Sequence, residues 1–185
     1  MKNILGIMGS PRKQGNTHLM LDSLLAAARA AGAQTETILL GDLTIAECNG
    51  CHACWRTGRC AKSDDMNPLY GKIAASDVLV FATPVYWYGP TALMKAFLDR
   101  FVYFNAPGSG QLAGKKAALL IPFEEDDPRA ADLIIALFER SLAYLDMRLA
   151  GTVIAPGLLK KGEIAERTEI GELTAALGRK LAARS

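Results

Sequence analysis

Residues 3–17 read NILGIMGSPRKQGNT, an apolar run that changes at Gly9 into a loop of small and polar residues. A short apolar run that ends in glycine predicts a strand over Asn3–Met8 that is buried on both faces. Apolar residues then recur at helical spacing, which predicts a helix over Thr17–Ala31, and Gly32 ends it. The chain therefore begins with one strand, one polar loop and one helix.

The same alternation of strand and helix continues to the end of the chain. Further strands are predicted over Gln34–Leu40, Val78–Thr83, Lys116–Ile121 and Leu149–Ala155. Further helices are predicted from Asp64 or Asp65 to Ala75, and over Pro90–Phe104, Pro128–Leu145 and Ile164–Ala183. Five such units predict an α/β fold: a doubly wound five-stranded parallel sheet of order 2-1-3-4-5 with helices on both faces. In that order the ligand crevice lies at the carboxyl ends of strands 1 and 3, at loops 9–16 and 84–89.

Length and composition limit the functional classes. A chain of 185 residues predicts a single domain over residues 1–185, because chains of roughly 100–200 residues usually share one core. The net charge of +2 gives no electrostatic reason to expect nucleic acid as a partner. No apolar run is long enough to span a membrane, and no signal-peptide core follows Met1. We therefore expect a cytoplasmic protein with no membrane span.

The first loop, residues 9–16, has the composition of a phosphate site. The positive end of a helix dipole and its free N–H groups attract anions, and this loop leads directly into a helix. Ser10 and Thr17 can donate hydroxyl protons, Asn16 an amide proton, and Arg12 charge-assisted hydrogen bonds. The alternative is that Asn16 or Thr17 only caps the helix, but capping leaves Ser10 and Arg12 unexplained.

The second loop, residues 84–89, carries three consecutive aromatic residues between two prolines. Aromatic side chains in a loop are costly to expose unless they pack on something. Beside a phosphate site, a planar ring is the expected partner. The alternatives are that these side chains cover the sheet edge or contact another subunit, and we expect both a ring contact and a subunit contact.

In combination these motifs resemble a known family. The segments Gly9–Arg12 with Asn16-Thr17, Thr83–Trp87 and Lys95–Arg100 look like those of the NADPH-dependent FMN reductase and iron–sulfur flavoprotein family, whose fold is flavodoxin-like. The resemblance implies FMN with its phosphate at Ser10, Arg12, Asn16 and Thr17, and its ring against Pro84, Val85, Tyr86 and Trp87. It also implies NAD(P)H as cosubstrate and a homodimer or homotetramer.

All four cysteines lie between Cys48 and Cys60, with the spacing C-x2-C-x2-C-x5-C. A disulfide framework joins distant segments, so this clustering indicates metal or redox chemistry. Thiolates at such spacing surround one compact centre in ferredoxins, whereas zinc sites usually use two separated pairs. The resemblance implies a [4Fe-4S] cluster on Cys48, Cys51, Cys54 and Cys60. The alternative is a short helical loop in which the thiols pack as small apolar residues.

The loop after the fourth strand holds four consecutive carboxylates, at residues 124–127. Carboxylates beside the ring would repel an anionic reduced flavin and the phosphates of a nicotinamide dinucleotide. We expect Asp127 to act as an N-cap, with Pro128 at the first helical position.

These observations favour an FMN-dependent oxidoreductase. It would take a hydride from NAD(P)H and pass electrons to a quinone, a flavin or another small-molecule or protein acceptor. The alternative is an iron–sulfur flavoprotein that transfers electrons between a ferredoxin-like donor and FMN through the cluster. A simple flavodoxin carrier fits less well, because those carriers are acidic and lack the cysteine segment.

Overall fold

The structure is a computed structural model that describes residues 1–183. Its centre is a parallel sheet of order β2-β1-β3-β4-β5, which confirms the predicted strand order. The strands are β1 (Asn3–Met8), β2 (Gln34–Leu39), β3 (Val78–Ala82), β4 (Lys116–Pro122) and β5 (Arg148–Ala155). Each bound lies within one residue of its prediction, because apolar runs that end in Gly, Thr or Pro mark strand ends clearly.

Helices cover both faces of the sheet. They are α1 (Asn16–Ala30), α2 (Ala53–Thr57), α3 (Asn67–Ala75), α4 (Ala92–Asp99), α5 (Asp132–Ala143) and α6 (Thr168–Ala182). Short 3-10 helices lie at Leu40–Asp42, Arg100–Tyr103, Pro128–Ala131 and Glu163–Glu166. One core layer contains α1 and α6, and the other contains α3, α4 and α5. Within residues 1–183 no helix is long and apolar enough to cross a membrane.

Four helix starts differ from the sequence-based prediction by two residues or more. The helix predicted to be capped by Asp64 or Asp65 begins at Asn67 with Met66 as its N-cap, because the Asp64 carboxylate accepts from the Met66 N–H at 3.2 Å in the turn before the helix. The helix predicted from Pro90 begins at Ala92, because the Thr91 side chain caps it by accepting from the Met94 N–H. The helices predicted from Pro128 and Ile164 begin as 3-10 turns, and their α-helical parts start later, at Asp132 and Thr168. In each case the capping geometry, rather than the apolar pattern, sets the boundary.

The two helices on one face, α1 and α6, pack unusually closely at Gly178. A Cβ atom built on Gly178 would overlap the backbone carbonyl of Leu24 in α1. Backbone atoms cannot move aside as a flexible side chain can, so this approach requires glycine. Gly171 lies in the same helix with nothing within 4 Å of its Cβ position.

The two glycines of α6 give a matched test of this packing. Gly178→Ala should lower the free energy of unfolding by about 1–3 kcal/mol, because the two helices must separate. Gly171→Ala should raise it by up to about 1 kcal/mol, because alanine favours an exposed helix. Urea denaturation followed by circular dichroism measures both. Equal effects of the two substitutions would contradict the packing argument.

Candidate functional site

The first and second loops are joined at their bases by hydrogen bonds. The Gly9 N–H donates to the Ala82 carbonyl at 2.7 Å, and the Thr91 hydroxyl donates to the Gly9 carbonyl at 2.5 Å. A Cβ on Gly9 would lie 2.7 Å from the Met94 methyl carbon and 3.1 Å from the Ala82 oxygen. Glycine at this position therefore allows the carboxyl ends of β1 and β3 to meet.

A cavity of about 120 Å³ lies between these loops. Seven of the eight residues expected to bind the cofactor line it: Ser10, Arg12, Asn16, Thr17, Pro84, Val85 and Tyr86. The eighth, Trp87, lines a neighbouring cavity that shares Val85, Phe123 and Glu124 with the first. The tertiary structure thus brings the two predicted groups of residues to one place.

The small cavity has the features of an anion site. Helix α1 begins at this cavity, and its N-cap, Gly15, provides no capping side chain, so the first N–H groups of the helix are free of side-chain caps. The guanidinium of Arg12 pairs with no carboxylate in residues 1–183, whereas neighbouring Lys13 pairs with Asp42 at 2.7 Å. Free N–H groups beside an unpaired cation fit a phosphate group.

Asn16 has a second role that the sequence does not indicate. Its amide nitrogen donates to the Lys160 carbonyl at 2.9 Å, and its oxygen accepts from the Ile164 N–H at 3.2 Å. The side chain therefore holds the segment after β5 against helix α1. The alternative interpretation, in which Asn16 or Thr17 only caps helix α1, is wrong for both residues, because the N-cap is Gly15.

The second loop forms a tight hairpin. Tyr86 and Gly89 exchange backbone hydrogen bonds of 2.8 and 3.0 Å, which leaves Trp87 and Tyr88 at the two central positions. Both have positive φ angles, 54° and 59°, a conformation that glycine and asparagine usually adopt. The Trp87 side chain is fully exposed. The hairpin therefore projects an aromatic pair from the edge of the site.

The neighbouring cavity, which we term the acidic cleft, has a volume of about 520 Å³. It is lined by Val85, Trp87, Tyr88, Phe123, Glu124, Glu125, Asp126 and Ala130. Asp127 does not line it. Its carboxylate accepts from the Arg129 N–H at 3.0 Å and pairs with the Arg129 guanidinium, which holds the Asp127 pKa below its ordinary value. The prediction of an Asp127 cap is confirmed. The other three acidic residues of this loop, Glu124, Glu125 and Asp126, line the acidic cleft instead.

The cysteine segment, residues 48–60, is fixed to the 3-10 helix that follows α4. The Trp55 indole donates to the Val102 carbonyl at 2.8 Å, and the Tyr103 hydroxyl donates to the Gly58 carbonyl at 3.0 Å. Within the segment, Cys54 is buried in the short helix α2, and Cys51 is exposed. The segment is therefore a folded part of the protein surface.

Arg100 closes the base of this segment. Its guanidinium is buried and binds the Asp64 carboxylate through two nitrogens, at 2.5 and 3.1 Å. It also donates to the Ala46 carbonyl at 2.9 Å and to the Cys60 sulfur at 3.2 Å. One side chain thus joins the chain before the first cysteine to the chain after the last.

Arg100 also sets the ionisation of its neighbours. Burial alone would raise the pKa of Asp64, but the hydrogen bonds from Arg100 and the Ala46 N–H outweigh it and lower that pKa. Burial likewise opposes ionisation of Cys60, and the Lys62 N–H and the Arg100 charge bring its pKa below the ordinary value. Cys54 has no such cation, so burial raises its pKa.

Comparison with known proteins identifies the family. The family model described as NADPH-dependent FMN reductase matches residues 2–124. The chain belongs to the NADPH-dependent FMN reductase family. The matched region contains both loops and the cysteine segment.

Relatives and solved structures agree with this family. The chain is 40% identical over 101 residues to an iron-sulfur flavoprotein of Archaeoglobus fulgidus, covering 55% of this chain and 46% of the relative. It is 37% identical over 99 residues to an iron-sulfur flavoprotein of Methanosarcina thermophila, covering 54% and 52%. The chain spans about half the length of these curated relatives. The fold is similar to that of an NAD(P)H:quinone oxidoreductase from Methanothermobacter marburgensis, with a TM-score of 0.77, 15% identity and coverage of 99% and 97%.

The two cofactors implied for this FMN reductase family member fit the structure differently. FMN fits, because an uncompensated arginine and a free helix end meet beside the second loop. A [4Fe-4S] cluster does not fit the thiols as they are placed. In the part of the chain that the structure describes, no three Cys, His, Asp or Glu side chains form a group that could hold a metal ion.

Two residues of this region have functions that no local pattern indicates. Thr91 reads as an ordinary residue after proline, yet it caps α4 and binds the first loop. An arginine at the end of a helix is usually a surface cation, yet the Arg100 side chain is only 1% exposed. The only signal for Arg100 in the sequence is its place in the segment Lys95–Arg100. Both depend on contacts across long stretches of chain.

The Arg100–Asp64 pair predicts a pH-dependent loss of stability. Arg100→Met should lower the free energy of unfolding by about 3–5 kcal/mol near pH 7, because it leaves the Asp64 carboxylate buried and unpaired. The folded pKa of Asp64 is lowered, so the stability from the pair is complete above the unfolded pKa, about 3.9, and is lost as the pH falls through the folded pKa. The difference between wild type and variant should therefore narrow below about pH 4.

Urea denaturation at several pH values measures this difference. Lys95→Met is the matched control, because it removes an exposed cation that pairs with Asp99 at 2.6 Å within helix α4. An exposed pair contributes at most about 1 kcal/mol, so this variant should remain close to wild type. If both variants lose the same stability, Arg100 does not have the role described.

Proposed function

We propose that this chain is an FMN-dependent oxidoreductase that takes a hydride from NAD(P)H and passes electrons to a quinone, a flavin or another small acceptor. The observation that carries the proposal is the cavity between the first and second loops, which gathers Ser10, Arg12 and Thr17 beside Pro84 and Tyr86. Membership in the NADPH-dependent FMN reductase family supports it.

In this function the side chains bind and orient the cofactor. Arg12 supplies positive charge for the phosphate, and the free N–H groups at the start of α1 supply hydrogen bonds. Ser10 is buried, and its hydroxyl oxygen accepts from the Arg12 N–H at 3.2 Å, which leaves its proton free to point into the cavity. Bound FMN supplies the ring that accepts the hydride, and the protein supplies its position.

The second loop supplies the surface for the ring. Pro84 and Tyr86 line the small cavity between the first and second loops, which we term the phosphate cavity. Val85 lines both this cavity and the acidic cleft. The hydrogen bonds of the hairpin and the Thr91 contact with the first loop fix this surface before a ligand binds. Binding therefore needs little ordering of the loop, which favours affinity.

Arg12→Gln tests the phosphate assignment. The variant should bind FMN about 10- to 100-fold more weakly, because a hydrogen bond to a charged group contributes about 1.5–3 kcal/mol. Riboflavin lacks the phosphate, so its affinity should not change. Lys13→Gln is the control, because it removes one positive charge from the same loop, and this variant should bind FMN as tightly as wild type does. Flavin fluorescence titration measures the affinities of all three proteins for FMN and of wild type and Arg12→Gln for riboflavin.

An equal loss of FMN and riboflavin affinity in Arg12→Gln would contradict the phosphate assignment. The reductase proposal itself is tested with the FMN-loaded protein and NADH or NADPH under anaerobic conditions. Loss of the flavin absorbance with either nucleotide supports a reductase. A protein that binds no FMN, or whose bound FMN neither nucleotide reduces, would remove the proposal.

A second candidate function is electron transfer by an iron–sulfur flavoprotein. Two observations favour it: the relatives named iron-sulfur flavoprotein, and N–H···S hydrogen bonds of 3.4 Å from Gly50 to Cys48 and from Lys62 to Cys60. Such hydrogen bonds stabilise thiolates. A cluster would require the cysteine segment to rearrange so that the four sulfurs face one centre.

Anaerobic purification with iron and sulfide assays separates the two candidates. The second candidate requires about four irons per chain, and substitution of the cysteines by serine should abolish iron binding. A yellow protein without iron favours the reductase that works with flavin alone. Size-exclusion chromatography with light scattering tests the proposed homodimer or homotetramer on the same preparation.

A further inference from the structure

The acidic cleft is lined by two chemically different groups of residues. Trp87 and Tyr88 of the hairpin line it from one loop, and Glu124, Glu125 and Asp126 line it from the loop after β4. The Tyr88 hydroxyl lies 3.5 Å from a Glu125 carboxylate oxygen, so the two groups meet there. The side chain of Phe123 is buried at the base of the cleft.

Within the described residues, the carboxylates of this cleft form no ion pair. Residues 1–183 place no cation within 4 Å of the carboxylates of Glu124, Glu125 or Asp126. The neighbouring cation Arg129 is held by Asp127 at 2.6 Å. A further cation is Arg167, which donates to the Pro156 carbonyl at 3.4 Å. A Cβ built on Gly157 would lie 2.6 Å from an Asp126 carboxylate oxygen and 3.8 Å from a guanidinium nitrogen of Arg167, so Arg167 lies near Asp126 without pairing with it.

Arg12 lines the adjoining cavity, and in the proposed function its guanidinium pairs with the phosphate of the cofactor. A phosphate carries more negative charge than one arginine neutralises, so cofactor binding makes the region more negative. A molecule that enters the cleft beside the bound cofactor therefore meets the two aromatic residues and the three acidic residues that line it. Both groups attract a delocalised cation.

We propose that the acidic cleft is the acceptor site and that it binds planar aromatic molecules with a positive charge in preference to anionic ones. This inference rests on the proposed function and names its substrate class. Indole and phenol faces attract cations through their electron-rich rings, and carboxylates attract them through charge. Anionic quinones and sulfonated dyes are disfavoured by the same groups.

The electron transfer balances for such an acceptor. A cationic two-electron acceptor, such as a phenothiazinium dye, takes one hydride from the reduced, anionic cofactor. The carbon–nitrogen framework of the dye becomes neutral, and the cofactor returns to its oxidised form. No further proton or reductant is needed, because NAD(P)H supplies the hydride to the cofactor. The neutral product has lost the charge that held it, which favours its release.

The first test measures binding without reaction. The FMN-loaded protein is titrated by calorimetry with 1-methylquinolinium, a planar cation, and with 1-naphthoate, an anion of similar size. At low salt the cation should bind about tenfold or more tightly than the anion. In the variant Glu124→Gln/Glu125→Gln/Asp126→Asn, this ratio should fall to within about twofold.

The matched control is Glu139→Gln/Glu169→Gln/Glu172→Gln, which removes three exposed carboxylates from helices α5 and α6. It changes the net charge equally and should keep the wild-type ratio. If the control lowers the ratio as much as the cleft variant does, net charge rather than the cleft determines the preference, and the inference falls. The inference also falls if the wild-type protein binds 1-methylquinolinium and 1-naphthoate with nearly equal affinity.

Salt provides a test that needs no variant. Between about 0.01 M and about 1 M salt the screening length falls from about 30 Å to about 3 Å, so the preference of the wild-type protein for the cation should largely disappear. A ratio that does not change with salt would overturn the electrostatic part of the proposal.

Turnover gives an independent readout. With the cofactor reduced by NAD(P)H, the cleft variant should lose about tenfold in kcat/KM with methylene blue, a cation, and gain with a sulfonated indophenol dye, an anion. If the protein binds no FMN yet prefers 1-methylquinolinium in calorimetry, the proposed function fails while the charge preference of the cleft stands. If FMN is reduced normally but neither binding nor turnover depends on charge, this inference alone fails.

Discussion

The contact between Gly9 and Thr91 is the constraint on which the rest of the site depends. The Thr91 hydroxyl donates to the Gly9 carbonyl and at the same time accepts from the Met94 N–H at the start of α4. The side chain therefore joins the first loop to the start of α4, and the Thr91 backbone N–H donates to the Thr83 hydroxyl at 3.2 Å, just before the second loop. Parallel strands bring their carboxyl ends to one edge of the sheet, but only such a contact fixes the distance between the loops.

Charged residues are distributed unevenly over the two adjoining cavities. The cavity between the two loops is lined by Arg12 and the start of α1, the acidic cleft is lined by Glu125 and Asp126, and Glu124 lines both. The cations and anions that could neutralise each other are paired elsewhere, as in Lys13–Asp42 and Arg129–Asp127. Opposite fields at adjacent positions can orient a ligand that has one anionic end and one planar end.

The cysteine segment depends on the same long-range organisation. Arg100 lies at the end of α4, the helix that Thr91 begins, and it binds the chain on both sides of the four cysteines. A change in α4 therefore affects the phosphate cavity and the cysteine segment together. Because burying an unpaired arginine is costly, the Asp64 carboxylate is as necessary to this arrangement as Arg100 itself.

The order of the five strands, the five helices of the β-α units, the two loops at the candidate site and the Asp127 cap could be predicted from the sequence, because they depend on local periodicity and on residues adjacent in the chain. Helix starts at Ala92 and Asp132 were missed, since caps depend on side-chain hydrogen bonds rather than on apolar pattern. The burial of Arg100, the contacts of Asn16 with the segment after β5, and the grouping of Glu124, Glu125 and Asp126 in one cavity with Trp87 could not be predicted from the sequence. These contacts join residues far apart in the chain, and their geometry exists only after the sheet has formed.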